Sequence, residues 1–516
     1  MSFWFSKLRN FEPAIPRLFQ HHSATIYTMA TPTRYDAIII GSGQAGTPLA
    51  SALTQAGKKT ALIERKHIGG CCINEGCTPT KTMIASGRVA YLTGRAPRDY
   101  GVHTSSEETP SSRLEIEMTK IRQRKRDIVD EFRGGSEKRL CTAGVEVLRG
   151  QAEFKNHKEI LVSLDNGETQ TLTAELIFIN TGERPSWPSV PGMDRIDPSR
   201  LLDSTSVMEL AEVPQHLVIL GGGYIGLEFG QLFHRLGADV TIIQRASRLI
   251  PREDPDISAA ILAIMQEDGI VVHLSVEASE LTDSRGSPIT VNIKSQDSRS
   301  IPAIHGSHLL FAGGRTPNTE LLNLGATAVS MDGRGYISTD DYLETSVPGI
   351  YALGDVKGGP AFTHISYDDF RIVRDRLLSP PPTPGSQWKL RGPLSSRTRL
   401  LPYTVFTDPQ MGHVGLHEAE ARKQFPNMQI KTAVMPMAYV ARALETGETR
   451  GMMKAVVNTE TGEVLGFSCL GIEGGEVMST VQVAMMGGLR WWELREAIFA
   501  HPTIAESLNN LWQFLK

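Results

Sequence analysis

The sequence predicts an α/β protein in which two Rossmann-like, dinucleotide-binding units precede a separate α+β domain. The main observation is a repeated pattern of apolar strand, glycine-rich turn, helix and second strand, found at residues 36–64 and again at residues 217–244. Strand-like and helix-like runs also alternate over residues 400–516, after a segment rich in Pro, Ser and Gly at residues 379–399. The chain has 516 residues, enough for about three domains.

The first unit begins with the apolar strand at residues 36–40. The turn after it carries Gly41, Gly43 and Gly46, which allow close approach of the backbone to a pyrophosphate at the start of the next helix. The second strand ends at Glu64, 23 residues beyond Gly41, where a carboxylate can bond ribose hydroxyls. Strand, turn, helix, strand and acid together predict a dinucleotide site.

The second unit repeats the arrangement, so two dinucleotides are expected. Its glycines are Gly221, Gly223 and Gly226. The residue at the end of its second strand is Gln244 rather than an acid, and Arg245 and Arg248 follow. A carboxylate at this position would repel the 2′-phosphate of NADPH, whereas guanidinium groups can pair with that phosphate. The residues present therefore favour NADPH over NADH. The alternative is that both arginines are solvated surface residues.

The chain has five cysteines, which are too few for a secreted disulfide scaffold. Three of them, Cys71, Cys72 and Cys77, fall within seven residues. Cys77 stands at the predicted start of a helix with Pro79 in its first turn, where the helix dipole stabilises a thiolate. No further Cys or His at zinc-ligand spacing lies nearby in the sequence. Cys72 and Cys77 are therefore predicted to form a redox dithiol, and no metal site is expected.

Composition excludes several other functions. Lys and Arg number 53 against 57 Asp and Glu, so the formal net charge of −4 does not suggest nucleic acid or an anionic membrane as a partner. No run of 18 apolar residues is present, so no membrane span is expected. The basic run at residues 120–126 has acidic neighbours and is predicted to be a solvated helix face.

The ordered motifs resemble those of the class I pyridine nucleotide–disulfide oxidoreductases, the family of glutathione reductase, dihydrolipoamide dehydrogenase and mercuric reductase. The resemblance runs from about Tyr35 to Leu511. Besides the glycine turns and the dithiol, the matching segments are Asn180-Thr-Gly182, Gly314-Arg-Thr-Pro-Asn318, Ala352-Leu-Gly-Asp355 and His501-Pro-Thr-Ile-Ala-Glu506. The resemblance implies FAD in the first unit, NADPH in the second, and a homodimer formed by the last domain.

The resemblance also implies which residues hold the cofactors. Those implied for FAD are Gly41, Gly43, Gly46, Glu64, Gly182, Gly354 and Asp355. Those implied for the pyridine nucleotide are Gly221, Gly223, Tyr224, Gly226, Arg245, Arg248 and Gly314. Tyr224 would cover the nicotinamide pocket, and the alternative for it is a core aromatic beside a glycine turn.

Redox roles follow from the same resemblance. Cys77 would be the thiolate beside the flavin, and Cys72 the interchange thiol that meets the acceptor. Lys81 would pair with Glu228 near the flavin. Cys71 occupies a position where the family usually has threonine, which leaves its role open between a buried small residue and an alternative disulfide partner.

The C-terminal motif is implied to supply an acid/base to the partner subunit. His501 would fill this role, oriented by Glu506, because imidazole can hold and release a proton near neutral pH. The alternative is that Thr503 and Glu506 form only a capping box after Pro502, with His501 in a loop.

The leading hypothesis is an FAD-dependent, NADPH-oxidising enzyme that passes electrons through the dithiol to a disulfide or other thiol-reactive acceptor. Residues 80–86, 442–444 and 449–454 resemble the mercuric reductase branch most, yet the chain end lacks that branch's cysteine pair. Alternatives are a flavin oxidoreductase of a biosynthetic pathway, a mercuric reductase, and a flavin-binding scaffold without catalysis. Gln244 disfavours a lipoamide dehydrogenase.

The domain boundaries expected from these patterns divide the chain into six segments. They are an N-terminal extension (1–34), the first part of the FAD domain (35–185), the NAD(P) domain (186–318), the second part of the FAD domain (319–378), a linker (379–399) and the dimerisation domain (400–516). Residues 1–28 carry three basic residues against one acidic residue, which fits a mitochondrial presequence or an untargeted tail before Met29. The expected location is therefore mitochondrial or cytoplasmic.

Overall fold

A computed structural model describes most of the chain and has the predicted α/β architecture. The described residues are 31–103, 114–283, 288–296, 301–378 and 395–516. Residues 1–28, on which the targeting hypothesis depends, and residues 379–394 of the expected linker lie outside them.

The part of the chain up to residue 185 contains the first nucleotide unit. Its strands are β1 (Thr33–Arg34), β2 (Ala37–Ile40), β3 (Thr60–Glu64), β4 (Glu146–Phe154), β5 (Glu159–Leu164), β6 (Thr169–Thr173), β7 (Leu176–Ile179) and β8 (Glu183–Pro185). Its helices are α1 (Gly46–Gln55), α2 (Gly70–Asn74), α3 (Cys77–Asp99) and α4 (Met118–Thr142). All four apolar residues of β2 are buried, as expected of a parallel strand covered on both faces. Helix α1 stops before Gly57, whose φ of +82° breaks the helical path.

The basic run lies on α4 and is only partly solvated. Lys125 is buried and pairs with Glu209. Arg126 binds the same carboxylate at 2.6 Å. The predicted solvated face is therefore wrong for Lys125, because Glu209 approaches it from a segment remote in sequence.

The second nucleotide unit occupies the middle of the chain. Its strands are β9 (Leu201–Leu202), β10 (His216–Leu220), β11 (Asp239–Gln244), β12 (Val271–Leu274), β13 (Val276–Thr282), β14 (Ile289–Ser295), β15 (Ile304–Gly306), β16 (His308–Phe311) and β17 (Arg315–Pro317), with helices α5 (Tyr224–Arg235) and α6 (Pro255–Glu267). Strands β12-β11-β10-β16-β9 form a parallel sheet, and β13-β14-β15 form an antiparallel one. Leu227 and Phe233 of α5 are buried, which fixes the helix on this sheet.

The chain then returns to the first unit through β18 (Ile350–Ala352) and α7 (Thr363–Leu378). Strand β18 pairs in parallel with β7 and completes a sheet in the order β1-β6-β5-β4-β3-β2-β7-β18. Strand β17 pairs antiparallel with β8, where the chain passes between the two units. The residue limits expected for these domains stay a prediction.

The C-terminal domain is an antiparallel sheet with helices. Its strands are β19 (Tyr403–Val405), β20 (Gln410–Gly415), β21 (Ile430–Pro436), β22 (Met452–Asn458) and β23 (Val464–Gly471), and its helices are α8 (Glu418–Gln424), α9 (Ala441–Glu445), α10 (Gly474–Met486) and α11 (Trp491–Glu496). The strand order is β19-β20-β23-β22-β21, and α10 packs on β20 and β23. Short 3₁₀ segments lie at Met193–Arg195, Pro198–Arg200, Ser206–Glu209, Leu324–Ala326, Gly354–Lys357, Met437–Tyr439, Ala505–Asn509 and Leu511–Phe514. Within the described residues, no helix is long and apolar enough to cross a membrane.

Candidate active site

The predicted dithiol lies where α2 meets α3. Cys72 belongs to α2, Cys77 is the first residue of α3, and both are free thiols. The Thr363 hydroxyl, at the start of α7, lies 3.5 Å from the Cys77 Sγ. A hydrogen bond from Cys72 lowers the pKa of Cys77 to about 5 against the effect of burial, and the charge of Lys81 acts in the same direction. The same hydrogen bond raises the pKa of Cys72, so the pair is polarised into a Cys77 thiolate and a Cys72 thiol.

A salt bridge joins the dithiol helix to the second nucleotide unit. The Lys81 Nζ of α3 lies 2.8 Å from the Glu228 Oε2 of α5. The other oxygen of Glu228 accepts a hydrogen bond of 2.8 Å from the Phe406 backbone N–H. The Lys81 ammonium also lies 5.1 Å from the centre of the Phe406 ring. Both oxygens of the buried Glu228 carboxylate are thus paired, and the pairing is the one that the resemblance implies.

The first glycine turn has no room for side chains. A Cβ on Gly41 would lie 2.4 Å from the Asn180 carbonyl oxygen, and one on Gly46 would lie 2.2 Å from the Gly41 carbonyl oxygen. The Gly46 N–H donates to Asn180 Oδ1 at 2.9 Å, and Asn180 Nδ2 donates to the Leu353 carbonyl at 2.7 Å. Asn180 therefore ties this turn to the segment that precedes Gly354. A close-packed turn at the start of a helix fits a pyrophosphate.

The acid at the end of β3 faces the same turn. Glu64 Oε2 accepts hydrogen bonds from the Ser42 N–H at 3.0 Å and from the Ser42 hydroxyl at 2.6 Å. Glu64 Oε1 accepts one from the Lys66 N–H at 2.8 Å. An ionised carboxylate accepts about four hydrogen bonds, so acceptor capacity is left for ribose hydroxyls.

The segment after β18 supplies a second acid, Asp355, to this region. The Gly354 N–H donates to Asp369 Oδ2 at 2.8 Å, and the φ of Gly354 is +73°. Burial raises the pKa of Asp355 to about 6, and the nearby Glu183 carboxylate adds to the shift. Gly182, Glu64 and Asp355 line the same cavity as the glycine turn. This combination of turn, helix start and two acids fits FAD.

The second glycine turn repeats the first with a different strand end. Its first glycine, Gly221, has a φ of +122°, and a Cβ on Gly226 would lie 2.0 Å from the Gly221 carbonyl oxygen. The Gln244 Oε1 accepts a hydrogen bond from the Gly222 N–H at 3.2 Å, and its Nε2 donates to the Arg248 carbonyl at 3.1 Å.

The two arginines beside this turn differ in placement. Arg245 lines the cavity together with Gly314. Among the described residues that line the cavity, Arg248 is absent, and its guanidinium donates to the Pro251 carbonyl at 3.2 Å. The structure thus places Arg245 better than Arg248 for a 2′-phosphate.

Tyr224 stands at the start of α5 in a group of aromatic side chains. Its hydroxyl donates to Glu253 Oε1 at 2.9 Å, and the Tyr403 hydroxyl donates to the same oxygen at 2.7 Å. The Phe362 ring stacks on Tyr403 with centroids 5.2 Å apart and an interplanar angle of 5°. Tyr224 is partly buried, packs against the hydrophobic core of the second unit and also lines the cavity. Its role as a lid stays a prediction.

One cavity of about 3390 Å³ connects the dithiol, the first glycine turn and Tyr224. The predicted nucleotide-binding glycines Gly221, Gly223 and Gly226 are not among the described residues that line it. Neither His501 nor Glu506 is among the described residues that line it. His501 is instead exposed, with 73% of its side-chain surface accessible and its Nδ1 lying 2.9 Å from Glu506 Oε2. The Glu506 N–H also donates to the Thr503 hydroxyl at 3.2 Å, which is one of the two hydrogen bonds of the capping box, while the Glu506 carboxylate contacts His501.

Sequence reasoning missed several residues of the site. Thr363 is 286 residues away from Cys77, and no local pattern marks it. Asn180 belongs to the motif Asn180-Thr-Gly182, which marks it in the sequence, but no local pattern predicts its two hydrogen bonds. Arg315 Nη2 lies 3.4 Å from the Cys71 Sγ, and burial raises the pKa of Cys71 while Arg315 opposes that shift.

Known protein families match both the nucleotide-binding part and the C-terminal domain of this chain. The pyridine nucleotide–disulphide oxidoreductase family model matches residues 35–369, and its dimerisation-domain model matches residues 401–512. The probable pyridine nucleotide–disulfide oxidoreductase RclA of Escherichia coli (strain K12) is 36% identical, covering 94% of this chain and 100% of that protein. Mercuric reductase of Bacillus cereus is 35% identical, covering 92% of this chain and 70% of that protein.

A solved structure agrees as well. The Cu(II) complex of the HOCl-induced flavoprotein disulfide reductase RclA from Escherichia coli has a TM-score of 0.80 and 34% identity, covering 93% of this chain and 99% of that one. Fold and site together define a protein that binds two dinucleotides beside a redox dithiol. The chain belongs to the class I pyridine nucleotide–disulfide oxidoreductase family. It is therefore an oxidoreductase that uses FAD and NAD(P)H, which excludes the scaffold hypothesis.

Proposed function

We propose that this enzyme oxidises NADPH in preference to NADH and reduces a disulfide acceptor through Cys72 and Cys77. When bound, FAD would carry the electron pair from the nicotinamide to the disulfide form of these two cysteines. Cys72, once reduced, would attack the acceptor disulfide, release the first product thiol and leave a mixed disulfide. Cys77 would then displace the second product thiol by re-forming the Cys72–Cys77 bond. Overall, one NADPH and one proton reduce one disulfide to two thiols and leave NADP⁺.

The observation that carries the proposal is the polarised dithiol between the two nucleotide units. Cys77 has its pKa lowered to about 5, chiefly by the Cys72 hydrogen bond, and the charge of Lys81 adds to this shift. Cys72 remains the protonated partner, so it must lose a proton before it attacks an acceptor. A proton acceptor near Cys72 is therefore required.

His501 of the partner subunit would take this proton, with Glu506 fixing the ring. Support comes from the exposed His501–Glu506 contact of 2.9 Å and from the dimerisation-domain match over residues 401–512. Exposed apolar side chains on and after α10 provide a surface for such a dimer. They include Val483, Met486, Leu489, Trp492 and Ile498.

Mixed dimers test the action of His501 across the interface. His501→Ala and Cys72→Ser homodimers should each lose disulfide turnover, by about 10² to 10⁴-fold for His501→Ala. Heterodimers of the two variants should regain activity at one of their two sites, where the wild-type Cys72 meets the wild-type His501 of the other chain. Heterodimers as inactive as the parents would contradict this assignment, and flavin content is the control for folding.

The acceptor is best identified by the rate of NADPH oxidation. Purified enzyme should be assayed against glutathione disulfide, lipoamide, mercuric ion, quinones and oxygen, with Cys72→Ser assayed in parallel. Turnover that needs Cys72 and is fastest with a disulfide would support the proposal. Equal turnover by Cys72→Ser and the wild type with every acceptor would refute it and favour a flavin oxidase or quinone reductase.

Reduction of a thiophilic metal ion is the second candidate. It is favoured by the identity of 35% to mercuric reductase of Bacillus cereus and by the Cu(II) complex of the Escherichia coli protein, together with the third thiol, Cys71. Residues 509–516 contain no cysteine. Faster NADPH oxidation with Hg²⁺ or Cu²⁺ than with any disulfide would favour this candidate.

We propose a cytoplasmic location. The relatives compared above are bacterial proteins, which gives no support to the mitochondrial alternative. Fractionation of cells that express the full chain with a C-terminal tag tests this, and recovery with mitochondria would contradict it.

A further inference from the structure

A group of three metal-ligating side chains lies behind Tyr224, outside the dithiol site. Glu253 precedes α6 in the second nucleotide unit, His413 lies on β20, and His417 caps α8 in the C-terminal domain. One ligand atom from each lies within 4.8 Å of the other two. Among the residues that the structure describes, no other group of three or more His, Cys, Asp or Glu side chains is placed to share one ion.

Two atoms of the group are buried without a hydrogen-bond partner. They are Glu253 Oε2 and His417 Nδ1. The Glu253 side chain has no accessible surface, and its Oε2 lies 4.0 Å from His417 Nε2. An unpaired carboxylate oxygen in the interior is costly, and a cation placed between these groups would remove the cost.

The other polar atoms of the group are held by neighbours, as in the outer shell of a metal site. Glu253 Oε1 accepts hydrogen bonds from the Tyr224 and Tyr403 hydroxyls. His413 Nε2 lies 3.1 Å from the Gly415 carbonyl, which orients the ring. Its Nδ1 lies 2.8 Å from Ser468 Oγ, and an ion bound through this nitrogen would replace that hydrogen bond.

We propose that Glu253, His413 and His417 bind one divalent cation of the Zn²⁺ and Cu²⁺ class. Two imidazoles and one carboxylate suit these metals, whereas Mg²⁺ and Ca²⁺ prefer an all-oxygen site. The two histidine rings are stacked with centroids 4.0 Å apart, so binding requires one ring to turn toward Glu253. Both histidines line the large cavity, which gives the ion a route of entry and leaves a coordination position for water.

Zinc binding to the FAD-loaded dimer tests the site. The variant Cys71→Ser/Cys72→Ser/Cys77→Ser/Cys141→Ser removes the thiols of the dithiol site and the exposed Cys141, leaves only the buried Cys469, and serves as the parent. Equilibrium dialysis against Zn²⁺ should give one ion per chain for the parent. Adding His413→Gln or His417→Gln should weaken that binding by about 100-fold or more. His364→Gln, which changes a histidine of the same cavity outside the group, should leave it unchanged.

The Cu²⁺ electron paramagnetic resonance spectrum of the same parent provides a second measurement. Coupling to two imidazole nitrogens is expected in the parent and to one in each His variant. Flavin content and thermal unfolding confirm that each variant is folded. The proposal would be overturned by any of three results: no saturable Zn²⁺ binding by the parent, Zn²⁺ binding by His413→Gln and His417→Gln as tight as by the parent, or a Cu²⁺ spectrum of the parent without nitrogen coupling.

Discussion

The two nucleotide units share one backbone design and differ at the end of their second strand. In both, the third glycine of the turn packs on the carbonyl of the first, where a Cβ would approach to 2.2 Å on Gly46 and 2.0 Å on Gly226. Such a turn serves any pyrophosphate. The strand-end residues Glu64 and Gln244 are therefore where the two units separate chemically.

The side chains of Glu64 and Gln244 make the same contact with their turns, but only Glu64 carries a negative charge. Glu64 Oε2 accepts from the N–H of Ser42, and Gln244 Oε1 accepts from the N–H of Gly222. A carboxylate only accepts hydrogen bonds, whereas an amide also donates, and Gln244 Nε2 donates to the Arg248 carbonyl. The second unit thus keeps the contact with its turn and loses the negative charge, while an arginine follows the strand end in both units, Arg65 in the first and Arg245 in the second.

Matched glycine substitutions should separate the two units most strongly. Gly46→Ala places a methyl group against the Gly41 carbonyl, so FAD retention should fall by about 10-fold or more, with loss of all activity. Gly226→Ala should leave FAD bound and raise the KM for NADPH by about 10-fold or more. Flavin absorbance per chain and steady-state kinetics measure both effects.

Circular dichroism and the oligomeric state of the two glycine variants are the controls for folding. Loss of FAD from Gly226→Ala to the same extent as from Gly46→Ala would contradict the independence of the two turns.

Local signals explain what the sequence predicted in these units. The apolar runs around Ile39 and Ile219 and the glycines after them are contiguous, so both strands and both turns could be located without tertiary information. The same holds for Cys77, since a helix start follows from Gly76 before it and Pro79 within its first turn.

Contacts between remote segments explain what could not be predicted. Thr363 reaches Cys77 because the chain returns to the first unit through β18 and α7, and Glu253 reaches His417 because the second unit contacts the C-terminal domain. Lys125 looked solvated from its charged neighbours, but its burial depends on Glu209, 84 residues further along the chain. Such pairings depend on topology rather than on local pattern.

Exchanging the strand-end chemistry should move the nucleotide preference of the second unit. Gln244→Glu restores an acid, and Arg245→Glu removes the guanidinium that lines the cavity. One charge-assisted hydrogen bond contributes about 1.5–3 kcal/mol, so the ratio of kcat/KM for NADPH over NADH should fall by about 10 to 100-fold.

Arg248→Glu is the matched control, because that guanidinium bonds the Pro251 carbonyl and should affect the ratio less. Equal kcat/KM values for the two nucleotides in the wild type would refute the assignment made from Gln244.

The smallest effect concerns the Lys81–Glu228 salt bridge, through which the second unit acts on the dithiol of the first. Lys81 lowers the pKa of Cys77, whereas Glu228 raises it, so removing each charge should shift the pKa in opposite directions. The Cys77 thiolate should form as pH rises through about 5 in the two-electron-reduced wild type, giving a long-wavelength absorbance band beside the flavin. Lys81→Met should move this midpoint upward and Glu228→Gln should move it downward, each by about one pH unit.

Titration of the band between pH 4 and pH 8, with Cys77→Ser as the blank, measures both shifts. Since the Cys72 hydrogen bond is the larger cause of the lowered pKa, unchanged midpoints in both variants would mean that this bond alone polarises the dithiol and that the two units are electrostatically independent.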